Sequence, residues 1–283
     1  MTCAFSPDGS QILCGGWDRT SPGSKLSLLK ALTGEEVWAT ERAGAVTTCA
    51  FAPDRPDGSQ VLCGGSDKKL SLLDAVTSEE VWTVEQAARV AMCAFSPDGG
   101  QVLCGGHDAK KPLSLMDTMT GKHVWTVEAD HHVTSCAFSP DGSQVLFGED
   151  KKLSLMDAVT GKQVWTVKRA GQVMTCAFSP DGSQVLCGGS DNKLSLLDAV
   201  TGKEVWTVKR AKPVWTCAFA PDGGQLLCGD DDKKLSLLDA VTGKEVWTVK
   251  RAGTVMTCSF SPDGSQVLCG GDDKKLSLLD AVT

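Results

Sequence analysis

Histidine is the scarcest side chain here with acid–base chemistry near neutral pH, and all four copies, His107, His123, His131 and His132, lie between residues 107 and 132. Two loops, one holding His107-Asp108 and the other Asp130-His131-His132, carry nitrogen and carboxylate donors of the kind that bind a transition metal. Histidines in surface loops commonly serve no such purpose, and no metal is assigned. The thirteen cysteines include no Cys-x-x-Cys spacing, so a zinc site has no support. The segment 201–204, Thr-Gly-Lys-Glu, lacks the four residues between glycines and the following Ser or Thr that a phosphate loop needs. Serine, histidine and aspartate occur at no spacing that suggests a triad. No catalytic, cofactor-binding or metal-ligating residue is therefore assigned.

The cysteines instead follow a repeat. Phe5, Phe51, Phe95, Phe138, Phe178, Phe219 and Phe260 mark seven copies of one unit, spaced at 46, 44, 43, 40, 41 and 41 residues. Two cysteines recur in each copy, as in Cys176 and Cys187, except where Phe147 replaces the second. Each copy reads as four short strands separated by turn signals. In the fifth copy these are 173–179, ended by Pro180-Asp181-Gly182; 184–188, ended by Gly189-Ser190-Asp191; 193–199, ended by Thr201-Gly202; and 204–209. Proline suits the first corner of a type I turn. A three-residue hairpin loop with a bulge would pair Ser179 with Ser183, and so Thr175 with Cys187. On that register Cys176 and Cys187 face opposite sides and cannot form a direct disulfide, which leaves small buried thiols as the expected role.

Four strands per period of about 40 residues is the unit of a propeller blade. One sheet alone cannot bury both faces, whereas sheets packed side by side can. The expected fold is all-β: a seven-bladed propeller of antiparallel four-stranded blades over residues 1–283, with repeats starting near 2, 48, 92, 135, 175, 216 and 257. The copies resemble the WD-repeat family along the whole chain, in the Ala-Phe-Ser-Pro-Asp-Gly string, the Asp before the third strand and the Asp-x-x-Thr-Gly turn after it. Leucine stands where that family carries Trp, as in Leu197-Asp198, Leu238-Asp239 and Leu279-Asp280. Arg169 to Gly171 stands where Gly-His is usual. The family's hydrogen-bonded His–Ser–Asp–Trp set therefore cannot form in most blades. Another tryptophan recurs in the fourth strand, at Trp38, Trp82, Trp125, Trp165, Trp206 and Trp247. The string Leu-Leu-Asp-Ala-Val-Thr-Gly-Lys-Glu-Val-Trp resembles the docking repeat of quinoprotein propellers, which implies that this Trp packs onto the neighbouring blade.

Copies within one chain differ mainly in two loops per blade, those between strands two and three (17–23, 66–67, 107–112, 149–150, 230–232) and those leaving for the next blade (85–89, 128–132, 168–172, 209–213). Binding commonly resides in loops on a rigid scaffold, and Trp17 beside Arg19 has residue types enriched at binding hot spots. Trp17, Arg19, His107, Asp130, His131, His132, Arg169, Arg210 and Lys212 are the expected partner contacts. The connection leaving blade three is acidic and those leaving blades four to six are basic, a field that orients a partner. The formal charge of −7 argues against general nucleic-acid binding. No run of about 18 apolar residues occurs, so no membrane span is expected. No basic-then-apolar leader opens the chain, and with thirteen cysteines the cytoplasm is the expected location. Strands one to three occur seven times and strand four six times. The reading is either a three-stranded seventh blade or part of a longer array. Either way residues 275–282 form an open edge, a template for a partner's strand or a second copy. The leading functional expectation is a non-catalytic scaffold for a protein or peptide, without cofactor; a quinoprotein-like oxidoreductase is the alternative.

Overall fold

The structure is a computed structural model, and it describes residues 2–16, 24–53, 59–106, 113–127 and 131–281. Among these the chain forms seven antiparallel sheets and no helix. Six sheets have four strands in sequential order and the last has three. The fold is a seven-bladed all-β propeller with a three-stranded final blade. By internal contacts the chain divides into two compact units, residues 1–133 and 134–283. The first carries blades one to three and the second blades four to seven.

Blade five shows how local sequence makes a blade. Its strands are Val173–Phe178, Gln184–Gly189, Lys193–Asp198 and Glu204–Lys209. The first turn is closed by the Ser179 N–H on Gln184 O and the Gly182 N–H on Ser179 O, each at 2.9 Å. Asp181 Oδ1 holds it from inside, accepting from the Ser179 hydroxyl at 2.6 Å and the Ser183 N–H at 3.0 Å. The turn after the third strand is built the same way. Asp198 Oδ1 accepts from the N–H and hydroxyl of Thr201 at 2.8 and 2.6 Å. Gly202 closes it at φ 68°, a left-handed conformation that other residues adopt at a cost.

The register differs from the sequence expectation at the cysteines. Cys176 lies directly opposite Cys187, and Phe178 opposite Val185. The cause is the turn's own bonding. The Gly182 N–H takes the Ser179 carbonyl and Asp181 takes the Ser183 N–H, so four residues rather than three form the loop. Blade six keeps both bonds and the register with Ala220 in the serine's place. The two sulfurs therefore share a face. The same opposition occurs at Cys3–Cys14, Cys49–Cys63, Cys93–Cys104, Cys217–Cys228 and Cys258–Cys269, and all thirteen cysteines are free thiols.

Blades hold together through the leucines of the middle strands and the recurring Trp. Leu186, Leu194 and Leu196 are fully buried in blade five, as are Leu62 and Leu70 in blade two. The indole N–H of Trp165 donates to Ala199 O of the next blade at 2.8 Å, that of Trp206 to Ala240 O at 3.0 Å and that of Trp247 to Ala281 O at 3.1 Å. In the first unit Trp82 reaches Thr118 O at 2.7 Å. The docking expectation is met, and the Thr-Gly turn has a second reason for glycine. A Cβ on Gly202 would stand 3.1 Å from the ring of Trp165, a close approach that glycine eases; blade two has Ser78 at this place, and Trp38 still donates to Ala75 O.

Candidate functional site

The two variable loops of a blade touch each other. Ser190, in the loop after the second strand of blade five, accepts the Gln172 N–H on its hydroxyl at 2.8 Å and returns its own N–H to Gln172 O at 2.9 Å. Ser66 and Ala45 make the same exchange in blade two, at 2.7 and 2.9 Å. The connection leaving a blade is tied to that blade's own loop as well: Arg169 N–H to Lys151 O, Arg210 N–H to Asn192 O and Arg251 N–H to Lys233 O, each at 2.7 Å. Consecutive blades thus interleave their most variable segments on one fixed frame.

From these connections an arginine side chain crosses to the next blade. Arg169 is fixed on the blade-four loop by its backbone, while its guanidinium pairs with Asp191 at 3.1 Å and donates to Ser195 Oγ at 2.7 Å in blade five. Arg210 does the same with Asp230 at 3.1 Å and Ser236 at 2.7 Å, and adds Glu245 at 3.1 Å. Arg251 donates to Ser277 at 2.6 Å. In the first unit Arg42 pairs with Asp67 at 3.0 Å and donates to Ser71 at 2.8 Å. The serine belongs to a polar row running straight across the blade: Cys176 opposes Cys187, Cys187 opposes Ser195, and Ser195 opposes Thr207. The Ser195 and Thr207 hydroxyls bond at 2.6 Å. Each clamp is nearly dry, with the Arg169 and Asp191 side chains 7% and 6% exposed. A buried pair of this kind adds little net stability over an apolar filling, but removing one partner strands a charge.

The expected partner contacts therefore divide. Trp17, Arg19, His107 and Asp130 lie outside the described residues. His131, His132 and Lys212 are exposed on connections. Arg169 and Arg210 occupy the clamps, their guanidinium groups turned inward. Beside these arginines, on the same connections, Lys168, Lys209, Lys212 and Lys250 are exposed. Sequence reading missed the clamp, although its signal is present: an arginine four residues before the first strand of blades two, five, six and seven. Blade three has Gln86 at that place. Beside it opens a cleft of about 330 Å³, whose lining includes Glu85, Gln86, Arg89, Cys104, Ser114 and His123.

The thiols are chemically quiet. Burial pushes Cys104, Cys176 and Cys228 up to about 12, and Cys63 and Cys187 to about 11. The reactive species, the thiolate, is scarce at such values. Several sulfurs join blades by hydrogen bonds instead, such as Cys176 with Ser135 at 3.2 Å and Cys217 with Thr175 at 3.3 Å. Among the described residues no three His, Cys, Asp or Glu side chains gather as metal ligands.

Comparison with known families gives two matches in the second part of the chain, residues 109–218 and 190–283, to the family described as outer membrane protein assembly factor BamB. Together they run over residues 109–283, more than half of the sequence. The family described as WD domain, G-beta repeat matches residues 1–20. No curated protein matches the chain.

Proposed function

Since this chain belongs to the family described as outer membrane protein assembly factor BamB, a β-propeller in this molecule, we propose that it is a non-catalytic scaffold holding a protein or peptide on its variable loops. The family description names an assembly factor, a binding role. The observation that carries the reading is the division of labour on the loop face. Backbone bonds and arginine clamps hold the frame, while Lys168, Lys209, Lys212 and Lys250 stand exposed beside them with their charges uncommitted to the frame. An acidic segment of a partner is the complement of that rim. Such charge pairing governs association rate and salt dependence more than final affinity.

Reversing Lys168, Lys209 and Lys250 to Glu together tests it. The triple variant should keep the wild-type melting temperature and lose a co-purifying acidic partner, with binding of the wild type weakening as salt rises. Undiminished binding by the triple variant would overturn the rim as the site. The alternative, a quinoprotein-like oxidoreductase, rests on the docking Trp and its Thr-Gly turn. A cofactor absorbance band on the purified protein would favour it over the scaffold.

Two further placements belong to the same reading. Among the described residues the third strand of blade seven, Leu276–Asp280, pairs on one side only, and its residues are partly exposed where the equivalent Lys193–Asp198 is mostly buried. That edge offers a strand-addition site to a partner or a second copy, which sedimentation across a concentration series would detect. The thirteen free thiols, twelve of them opposed in pairs without a bond, suit a reducing compartment. We place the protein in the cytoplasm, and cell fractionation is the check.

A further inference from the structure

Ahead of blade three the clamp's arginine is replaced, while the backbone bond beneath it is kept. The Gln86 N–H donates to Lys68 O at 2.7 Å, the bond that Arg169, Arg210 and Arg251 make with their own preceding loops. Only the side chain differs. Where those guanidinium groups run on to a serine of the next blade, the Gln86 amide ends against Met116 Sδ at 3.9 Å. At the Arg169 clamp of blade five a cleft of about 130 Å³ remains, whereas blade three, without the arginine, has the larger cleft described above.

The receiving hydroxyls are still present, while the clamp's aspartate position, Asp108 here, lies outside the described residues. Cys104 opposes Ser114, and Ser114 opposes Thr126, the same row that meets the arginine in blade five. The Ser114 side chain sits in a residue only 5% exposed, and its hydroxyl bonds Thr126 at 3.2 Å. Ser71 and Ser195 hold that threonine bond at 2.7 and 2.6 Å and accept a guanidinium as well. A hydroxyl has two acceptor lone pairs, so Ser114 keeps the capacity its counterparts use. Charge at the mouth has changed to match. Glu85 stands where blades four, five and six present Lys168, Lys209 and Lys250. His123 stands where Glu80 and Glu245 approach their arginines at 3.7 and 3.1 Å. Arg89 lines the same cleft, and the Glu85 carboxylate at its mouth is the acidic group that can meet an incoming cation.

We propose that the blade-three cleft binds a guanidinium group, the side chain of an arginine presented by a partner peptide, in the place that Arg42, Arg169, Arg210 and Arg251 fill from within the chain. Planarity and several fixed donors distinguish this group from an ammonium, and a row of buried hydroxyls with one carboxylate at the rim reads that difference. The peptide source rests on the scaffold reading; the guanidinium preference of the cleft does not.

The test is calorimetric and thermal titration of the full chain with N-ethylguanidinium, N-ethylammonium, and two short peptides differing only by a central Arg or Lys. Expected is saturable binding of ethylguanidinium with Kd on the order of 1 mM, since so small a ligand has few atoms to contribute, and a melting temperature that rises with its concentration. Ethylammonium should bind at least about tenfold more weakly. Gln86→Arg should fill the cleft from within, raise the melting temperature and abolish the response. Should that variant fail to fold, Ser114→Ala should weaken ethylguanidinium about tenfold, the discrimination expected for one hydrogen bond to a charged group. A response that does not saturate, is equal for the ammonium, or persists unchanged in Gln86→Arg overturns the site. Ethylguanidinium binding without preference for the Arg peptide overturns the peptide source alone. The lysine-reversed rim variant should still bind ethylguanidinium, so failure of the scaffold reading and failure of this one give different results.

Discussion

A single aspartate in the first turn decides where the thiols of a blade point. Asp181 takes the Ser183 N–H, the Gly182 N–H takes the Ser179 carbonyl, the loop gains a residue, and Cys176 comes to lie opposite Cys187. The same turn sets the acid response. In blade seven the Ser261 hydroxyl, with the Ser265 N–H and hydroxyl, holds Asp263 down to about 2 from an ordinary 3.8. A carboxylate depressed on folding stabilises the native state fully above its ordinary value and loses that contribution as pH falls through the folded value. Stability should therefore decline between about pH 4 and pH 2. Ser261→Ala should move the Asp263 titration upward by NMR and shift the onset of acid unfolding to higher pH. The thiols make a second prediction at this scale. A disulfide-exchange reagent at neutral pH should label the native protein slowly and reach all thirteen thiols in denaturant, because burial suppresses the thiolate. Rapid native labelling of Cys176 or Cys187 would contradict the inner-strand placement.

Between elements, two contacts recur from blade to blade. The docking Trp lays an apolar ring on the glycine of the following turn and donates its N–H to the carbonyl beside it. Trp206→Ala removes both, and should cost about 3 kcal/mol in chemical denaturation, toward the low end for such truncations because the ring is partly exposed. A change below about 1 kcal/mol would mean that the contact does not hold the blades. The clamp behaves differently. Asp191→Ala leaves the Arg169 guanidinium buried without its charge partner, and should cost about 3 kcal/mol. Arg169→Lys should not restore the wild-type value, since an ammonium cannot reach Asp191 and Ser195 with fixed parallel donors. Replacing Asp191 and Ser195 with the wild-type arginine already absent should cost less than the separate losses summed, the signature of coupled groups.

At the level of the whole molecule, six blades carry four strands and the seventh three. Among the described residues its outer strand, Leu276–Asp280, has a sheet neighbour on one side, the second strand of the blade. Appending Glu-Val-Trp-Thr-Val-Lys-Arg-Ala-Gly-Thr-Val after Thr283 should supply a fourth strand and raise the melting temperature by several degrees, the shift that about 1–2 kcal/mol produces in a chain of this size. An unchanged melting temperature would show that the edge is already satisfied. The clamp and the docking Trp both act between nearest neighbours, as expected of repeat architectures, so damage to one blade should spread to the blades beside it.

Strand number, strand limits and turn positions were legible in the sequence alone, because Pro-Asp-Gly and Thr-Gly encode their own geometry and do so in every copy. The docking role of the recurring Trp was legible for the same reason, through its fixed place after the turn. The cysteine register was not, since it depends on whether three or four residues form the hairpin loop, and both satisfy the same residue pattern. Nor was the fate of Arg169 and Arg210, expected at a partner's surface and found inside the clamps. Charge in a variable loop reads alike whether it faces solvent or the next blade. Only packing decides which, because a guanidinium goes where a serine row and an aspartate have already been buried to receive it, and a cleft remains where glutamine is too short to follow.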